Sequence, residues 1–125
     1  MHIAGGGSSL REEVTNVLTS SGARIASSRD DADAILRLSN EDRKERLLGV
    51  DPDTGKAREF ELAYSVSFGL QDGSGKALVP TQRLRVVRDY VFDRDALIGK
   101  SRERGVLISE MRRDAALQLV RRLSE

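Results

Sequence analysis

The sequence contains no cysteine, no tryptophan and a single histidine, His2. The absence of cysteine excludes disulfides, thiolate catalysis and cysteine-rich zinc sites within this chain. With one histidine, near the start of the sequence, a histidine-based catalytic triad cannot be built. We therefore expect a chain that is not an enzyme and that has no metal site and no cofactor.

Long apolar runs are also missing. No stretch approaches the ~20 apolar residues that a membrane-spanning helix requires, so the chain is not expected to span a bilayer. The opening MHIAGGGSS lacks the basic start and apolar stretch of a signal peptide. A mature fragment of an exported protein would look the same, and the compartment therefore stays open.

Neither sign of charge dominates. The chain has 21 lysines and arginines against 20 acidic residues, and its formal net charge is +1. This balance argues against a general polyanion binder, which usually carries a strong basic excess. A local basic site remains possible, because positions 83–122 are rich in arginine. At 125 residues the chain is most simply one domain, 1–125.

Two segments have helical periodicity. In the first, Ser9 and Glu12 have the spacing of a capping box and Gly22 can end the helix, which predicts a helix over about residues 9–21. Its apolar stripe is Leu10, Val14, Val17 and Leu18. The second is a long amphipathic helix near the end of the sequence, after GKSRERG at 99–105. Its apolar positions include Ile108, Met111, Ala115, Leu119 and Leu123.

The clearest strand lies at 59–71, where large apolar residues alternate without error. They are Phe60, Leu62, Tyr64, Val66, Phe68 and Leu70. This alternation predicts a strand with one buried face. DGSG at 72–75 and DPDTG at 51–55 are turns, which join it to antiparallel strands at about 77–92 and 34–50. Residues 1–4 can supply part of a further strand.

The predicted order is a helix, a three-stranded meander and a second helix. Both helices have one apolar face, so both are expected to cover the same side of the sheet. The fold class is therefore α+β, a two-layer sandwich with two helices on one face of a small mixed or antiparallel sheet.

The other face of the central strand has small side chains: Ala63, Ser65, Ser67 and Gly69. An ordinary solvated sheet face is one interpretation. The other is a partner interface, because small side chains let another protein surface lie close to the sheet. The aromatic residues of this strand point to the opposite, core side, which disfavours base stacking and hence nucleic-acid binding.

Three further patterns could bind ions or carry acid–base chemistry. GGGSS at 5–9 opens a helix and could hold an anion, although a flexible entry turn is the better interpretation. Asp51 and Asp53 have the spacing that opens a calcium loop, but the later ligands are wrong and a hairpin already fits. Acidic residues such as Glu110 and Asp114 are expected on solvated surfaces, where a charged exterior is the better interpretation than acid–base chemistry.

The last predicted strand carries Arg88 on its apolar side. Arg88 could be an arginine at the rim of the core, paired with Asp89, Asp93 or Asp95. Alternatively, the strand end, a turn at 93–99 and the residues before the long helix form a cationic corner. Its members would be Arg88, Lys100, Arg102 and Arg104. Phosphate groups are the natural ligands of such a corner.

Several stretches of 58–123 resemble the LptE family of lipopolysaccharide-assembly lipoproteins. They include the aromatic pair Tyr90 and Phe92, ALIGK at 96–100, and EMRRDAALQLVRRL at 110–123. The N-terminal half agrees mainly in pattern. The resemblance implies a small sheet covered by two helices and an acylated N-terminal cysteine as anchor, a residue that this sequence lacks. It also implies a plug inside the outer-membrane β-barrel LptD that binds lipopolysaccharide and helps to deliver it to the outer leaflet.

Within this resemblance, Lys100 falls where the family has a lysine implicated in ligand binding. A second basic position of the family falls at Asp53 or its neighbours, so that contact is not carried over. The implied location is the periplasmic side of the outer membrane. The alternative function is a generic α+β interaction or nucleic-acid-binding module that shares only the fold.

Overall fold

The computed structural model describes residues 1–50, 52–55, 57–91 and 97–124. The sheet has four strands, which lie side by side in the order in which they follow along the chain. The first strand pairs parallel with the second, and the other pairs are antiparallel. The elements are β1 (His2–Gly5), α1 (Ser8–Ser20), a short 3-10 helix (Arg29–Asp31), β2 (Ala34–Val50), β3 (Ala57–Asp72), β4 (Ala77–Val91) and α2 (Leu97–Leu123). The predicted α+β class with a central meander is confirmed.

The core lies between one face of this sheet and both helices. The predicted alternation in β3 is confirmed, because Leu62, Tyr64, Val66 and Phe68 are all buried. They share one apolar cluster with the buried residues of both helices, so the helices cover the same side. Each large apolar side chain buried there contributes roughly 1.5–3 kcal/mol. The helical members of the cluster include Leu10, Val14, Leu18, Met111, Ala115, Ala116 and Leu119.

The start of α1 differs from the prediction. The N-cap residue is Gly7, which has no side chain with which to cap the helix. Ser9 already lies inside the helix, so the predicted capping box of Ser9 and Glu12 is wrong. Instead, the Gly7 amide donates to the Glu41 carboxylate of β2 over 2.7 Å. A carboxylate at this end of a helix also interacts favourably with the helix dipole. The predicted stop is confirmed, because Gly22 follows the helix with a φ of +94°.

A β-bulge in β2 brings Glu41 to α1. Ser39 pairs with Ser67, but Asp42 pairs with Ser65, so β2 contains one extra residue between these pairs. Asn40, within the bulge, has a φ of +50°. One extra residue reverses which positions of a strand face the core. From the bulge to Leu47, the helix side of β2 therefore carries odd-numbered residues, whereas before the bulge the core positions are even-numbered.

Candidate functional site

Arg88 lies on the helix side of the sheet, in register with Leu62. Its Nη2 donates to Oδ2 of Asp114 on α2 over 2.5 Å, and its Nη1 donates to the Val87 carbonyl over 2.8 Å. The ion pair is partly open to solvent. Arg88 is therefore a paired arginine at the rim of the core, as the first of the two interpretations predicted. Its carboxylate is Asp114 rather than Asp89, while Asp93 and Asp95 lie outside the described residues.

Arg104 of α2 is held by a carboxylate of β2, which lies across β3 from Arg88 on the same, helix-facing side of the sheet. Its Nη2 donates to Oε2 of Glu45 over 2.7 Å. The other oxygen of Glu45 accepts a hydrogen bond from the Tyr90 hydroxyl of β4. Tyr90 also stacks on Phe60, with ring centroids 5.4 Å apart and an interplanar angle of 20°. Burial raises the pKa of Tyr90 to about 12, with further contributions from the hydrogen bond to Glu45 and its charge.

These ion pairs divide the predicted cationic corner. Glu45, Leu62 and Arg88 form one row across three strands. Two strand spacings, roughly 10 Å, therefore separate Glu45 from Arg88. Along α2, Asp114 lies ten residues beyond Arg104, which is about 15 Å of helix. The two ion pairs thus join α2 to the sheet at separate points: Arg88 of β4 binds Asp114 of α2, and Arg104 of α2 binds Glu45 of β2.

The turn predicted at 93–99 overlaps the start of the long helix. The helix begins at Leu97, so Gly99 and Lys100 belong to its first turn and Arg102 and Arg104 to its second. Helix N-termini favour anions, and cations placed there strengthen that preference. The side chains of Lys100 and Arg102, like Phe92 and the rest of 92–96, lie outside the described part of the chain.

The sheet extends past the core, and apolar side chains are exposed at its far end. They are Leu47, Leu48 and Val50 of β2 and Val91 of β4, which have exposed fractions of 50, 40, 50 and 60%. We call these four residues the tip patch, and they do not share one face: Leu47 pairs with Phe60 on the helix side, whereas Val91 pairs with Glu59 on the reverse side. Leu47 lies in one row with Phe60 and Tyr90. That row is two residues, roughly 7 Å, beyond the row of Glu45. The tip patch and the Arg104 contact therefore lie at the same end of the molecule.

The small residues on the reverse face of β3 are less open than predicted. Ala63 and Ser67 are buried, with exposed fractions of 8 and 7%. Arg83 of β4 lies on the same face and donates to Ser67 Oγ over 3.0 Å and to Ser65 Oγ over 3.1 Å. At Gly69, which is also buried, an added Cβ would lie 2.9 Å from Oγ1 of Thr81. The expectation of a flat, open face is thus corrected, while its contact with a partner stays a prediction.

A polar cleft of about 330 Å³ lies beside the start of α1. Glu41, which accepts from the Gly7 amide, also accepts a hydrogen bond from the buried Tyr64 hydroxyl over 2.5 Å. An internal carboxylate therefore occupies the helix start that GGGSS offers to anions. The cleft is lined by Gly7, Ser8, Ser9, Glu41, Asp42, Arg43 and Arg112.

Within the described ranges, no cluster of three or more acidic or histidine residues is arranged to hold a metal ion. Asp51, one of the two aspartates with calcium-loop spacing, lies outside those ranges. No helix in the described part of the chain has the length and apolar character needed to cross a membrane.

Sequence reasoning missed the acidic partners of the basic residues. Glu45 belongs to EDRKER at 41–46, which has the composition of a solvated surface. Asp114 was expected on an exposed helix face. Neither carboxylate is near its arginine in sequence, so only strand register and helix packing bring the pairs together. No pattern in EDRKER predicts the bulge, because its odd-numbered and its even-numbered positions are all charged.

Several solved structures share this fold. An uncharacterised lipoprotein B from Nitrosomonas europaea is 27% identical, with a TM-score of 0.82 over 96% of this chain and 78% of its own. The rare lipoprotein B from Shewanella oneidensis is 26% identical, with a TM-score of 0.79 over 99% of this chain and 94% of its own. A minor lipoprotein from Acinetobacter baumannii shares the fold at 20% identity, with a TM-score of 0.77 over 98% of this chain and 90% of its own.

A comparison with curated proteins gives no match. The family comparison is decisive, because residues 2–123 match the LptE family, described as lipopolysaccharide-assembly. The match covers both helices and all four strands, whereas the resemblance seen in the sequence was clearest only in the C-terminal half. The chain therefore belongs to the LptE lipopolysaccharide-assembly family.

Proposed function

We propose that this chain is a non-enzymatic plug and assembly factor that binds lipopolysaccharide. It works with an LptD-type outer-membrane β-barrel to deliver lipopolysaccharide to the outer leaflet. Membership of the LptE family supports the role in assembly. The observation that carries the ligand-binding part is the position of Lys100, Arg102 and Arg104 in the first two turns of α2, at the overhanging end of the sheet.

The chemistry of this helix start suits phosphate groups. The unpaired amides of a first helical turn favour anions. Lysine adds a compact positive charge, while arginine can bind two phosphate oxygens at once. The bond from Arg104 to Glu45 uses one nitrogen, Nη2, and the pair is partly exposed. A phosphate can therefore approach the same guanidinium without entering the core.

Arg88 belongs to the proposed ligand site in a lesser role. Its bond to Asp114 is short, and its second terminal nitrogen donates to a backbone carbonyl. A phosphate would have to compete with both acceptors. We therefore expect Lys100 to contribute more to ligand affinity than Arg88 does.

The reverse face of β3 is the proposed contact with the barrel, through Ala63, Ser65, Ser67 and Gly69. A partner that docks on this face would meet the Arg83 side chain together with these small residues, because the Arg83 guanidinium donates to Ser65 and Ser67 there. An acylated cysteine preceding these residues in the full-length protein would hold it on the periplasmic side of the outer membrane. Copurification of the full-length protein with an outer-membrane barrel tests this part of the proposal.

The ligand site is tested by Lys100→Asp. Reversing one charge that contacts phosphate should weaken lipopolysaccharide binding about tenfold or more, as expected for a charge-assisted contact. The matched control is Lys76→Asp, which makes the same charge change in the exposed turn between β3 and β4, at the other end of the sheet. Binding is measured at constant ionic strength, and far-ultraviolet circular dichroism checks the fold. Equal affinity of the wild type and Lys100→Asp would remove Lys100 from the site.

A further inference from the structure

Arg104, in the second turn of α2, already binds an anion that belongs to the protein itself. Its Nη2 donates to Oε2 of Glu45 over 2.7 Å. The exposed fraction is 44% for the Arg104 side chain and 27% for the Glu45 side chain, so a phosphate group in solvent can reach this ion pair. Lys100 lies four residues before Arg104 in α2, which is about 6 Å of helix. The ion pair therefore belongs to the proposed phosphate site.

Glu45 is fixed in this position by a second hydrogen bond. Its other carboxylate oxygen accepts from the hydroxyl of Tyr90, which reaches it from β4 across β3. The Tyr90 ring in turn stacks on Phe60, with ring centroids 5.4 Å apart. Many exposed ion pairs contribute little stability, because two long side chains must be ordered to form them. Tyr90 already orders Glu45, so the bond to Arg104 is a built-in contact of the fold.

A carboxylate and a phosphate bind arginine in the same way, through charge-assisted hydrogen bonds from the guanidinium nitrogens. A phosphate that binds Nη2 of Arg104 must therefore displace Glu45. A phosphate that binds the other nitrogens of Arg104 instead lies close to the Glu45 carboxylate, and two negative charges at such a short distance repel each other. Glu45 thus opposes phosphate binding by either route.

We propose that Glu45 is an internal competitor of the ligand phosphate at Arg104 and that it limits the affinity of the site. This inference rests on the proposed function and makes it more specific, because it names a residue that weakens ligand binding. When the phosphate leaves, the bond between Arg104 and Glu45 forms again and offsets part of the free energy lost with the ligand contact. Glu45 thereby favours release, which a protein that passes its ligand on requires.

The test is Glu45→Gln, which removes the charge but keeps the shape and an oxygen that can accept from Tyr90. The matched control is Glu61→Gln, which makes the same change on the reverse face of the sheet, where Glu61 pairs with two arginines. Both changes are also made in an Arg104→Gln background. The affinity for lipopolysaccharide and its dissociation rate are measured at constant ionic strength with a chelator present, because a divalent cation can bridge a carboxylate and a phosphate. Thermal unfolding checks the fold of each variant.

We expect Glu45→Gln to bind lipopolysaccharide about threefold or more tightly than the wild type and to release it more slowly, because the competing charge is gone. Glu61→Gln should behave like the wild type. In the Arg104→Gln background, Glu45→Gln should have no effect, since the two residues act through one contact.

Three results would contradict this inference. An affinity of Glu45→Gln equal to or below that of Glu61→Gln would overturn the competitor role and leave the proposed function intact. The same gain with and without Arg104 would show that Glu45 acts on other cations through its charge alone, which also overturns the role assigned here. Failure of the wild type to bind lipopolysaccharide would overturn both proposals.

Discussion

Two tyrosine hydroxyls donate to glutamates of β2 at separate points along the sheet. Tyr64 donates to Glu41 and Tyr90 to Glu45. Burial is the largest cause of a raised pKa in both tyrosines, followed by the hydrogen bond to the carboxylate and its charge. A phenol that donates to a carboxylate cannot ionise without losing that bond and bringing two negative charges together.

This pairing predicts a delayed ionisation of tyrosine in the folded protein. The pKa of Tyr90 is about 12 in the fold, against about 10 in an unfolded chain. Because the folded value is the higher one, the contribution to stability is complete below pH ~10 and is lost as the pH rises through the folded value. Ultraviolet absorbance of tyrosinate measures this titration. The variant Glu45→Gln should lower the midpoint of Tyr90, and titration of both native tyrosines near pH 10 would contradict the assignment.

Single elements depend on contacts made by other elements. The end of β1 is an example, because Gly5 has a φ of +82° and an added Cβ would lie 2.1 Å from the Leu38 carbonyl oxygen. β1 pairs with β2 through only four residues, so few hydrogen bonds can offset a local displacement. The sequence shows that residue 5 is a glycine, but the close contact that requires a glycine there comes from Leu38 of β2.

Gly5→Ala should therefore destabilise the protein by about 2 kcal/mol or more, since it combines a strained backbone with a steric clash. The control is Gly73→Ala in the β3–β4 turn, where an added Cβ meets nothing within 4 Å. Urea unfolding compares the two variants with the wild type. Similar unfolding free energies for Gly5→Ala and Gly73→Ala would show that the approach of Leu38 is not restrictive.

The whole molecule has a packed end and an overhanging end. The packed end contains α1, the later turns of α2 and the apolar cluster, and Glu41 joins its parts by accepting from Gly7 at the start of α1 and from Tyr64 in the sheet. The overhanging end has the tip patch and the start of α2. The packed core and the proposed ligand site therefore lie at different ends of the sheet.

Removal of the Glu41 carboxylate should loosen the packed end. Glu41→Ala leaves the Gly7 amide and the Tyr64 hydroxyl without their acceptor. This should cost about 2–4 kcal/mol, because the part-buried bond from Tyr64 contributes ~1.5–3 kcal/mol and the exposed bond from Gly7, which water can replace, adds less. Glu12→Ala, on the exposed side of α1, is the control and should change the unfolding free energy by less than about 0.5 kcal/mol. Equal effects in chemical denaturation would argue against Glu41 as the link between the helix and the sheet.

The sequence by itself determined the element types, the buried side of β3 and the placing of both helices on one sheet face. These follow from periodicity, because a period of two or 3.6 residues sorts apolar groups onto one side wherever the element finally packs. Only the tertiary structure decided that Glu41 caps α1, that Asp114 and Glu45 hold separate arginines, and that Arg83 covers the reverse face. Each of these contacts joins residues distant in sequence, and a one-residue bulge in β2 changes which side chains can meet.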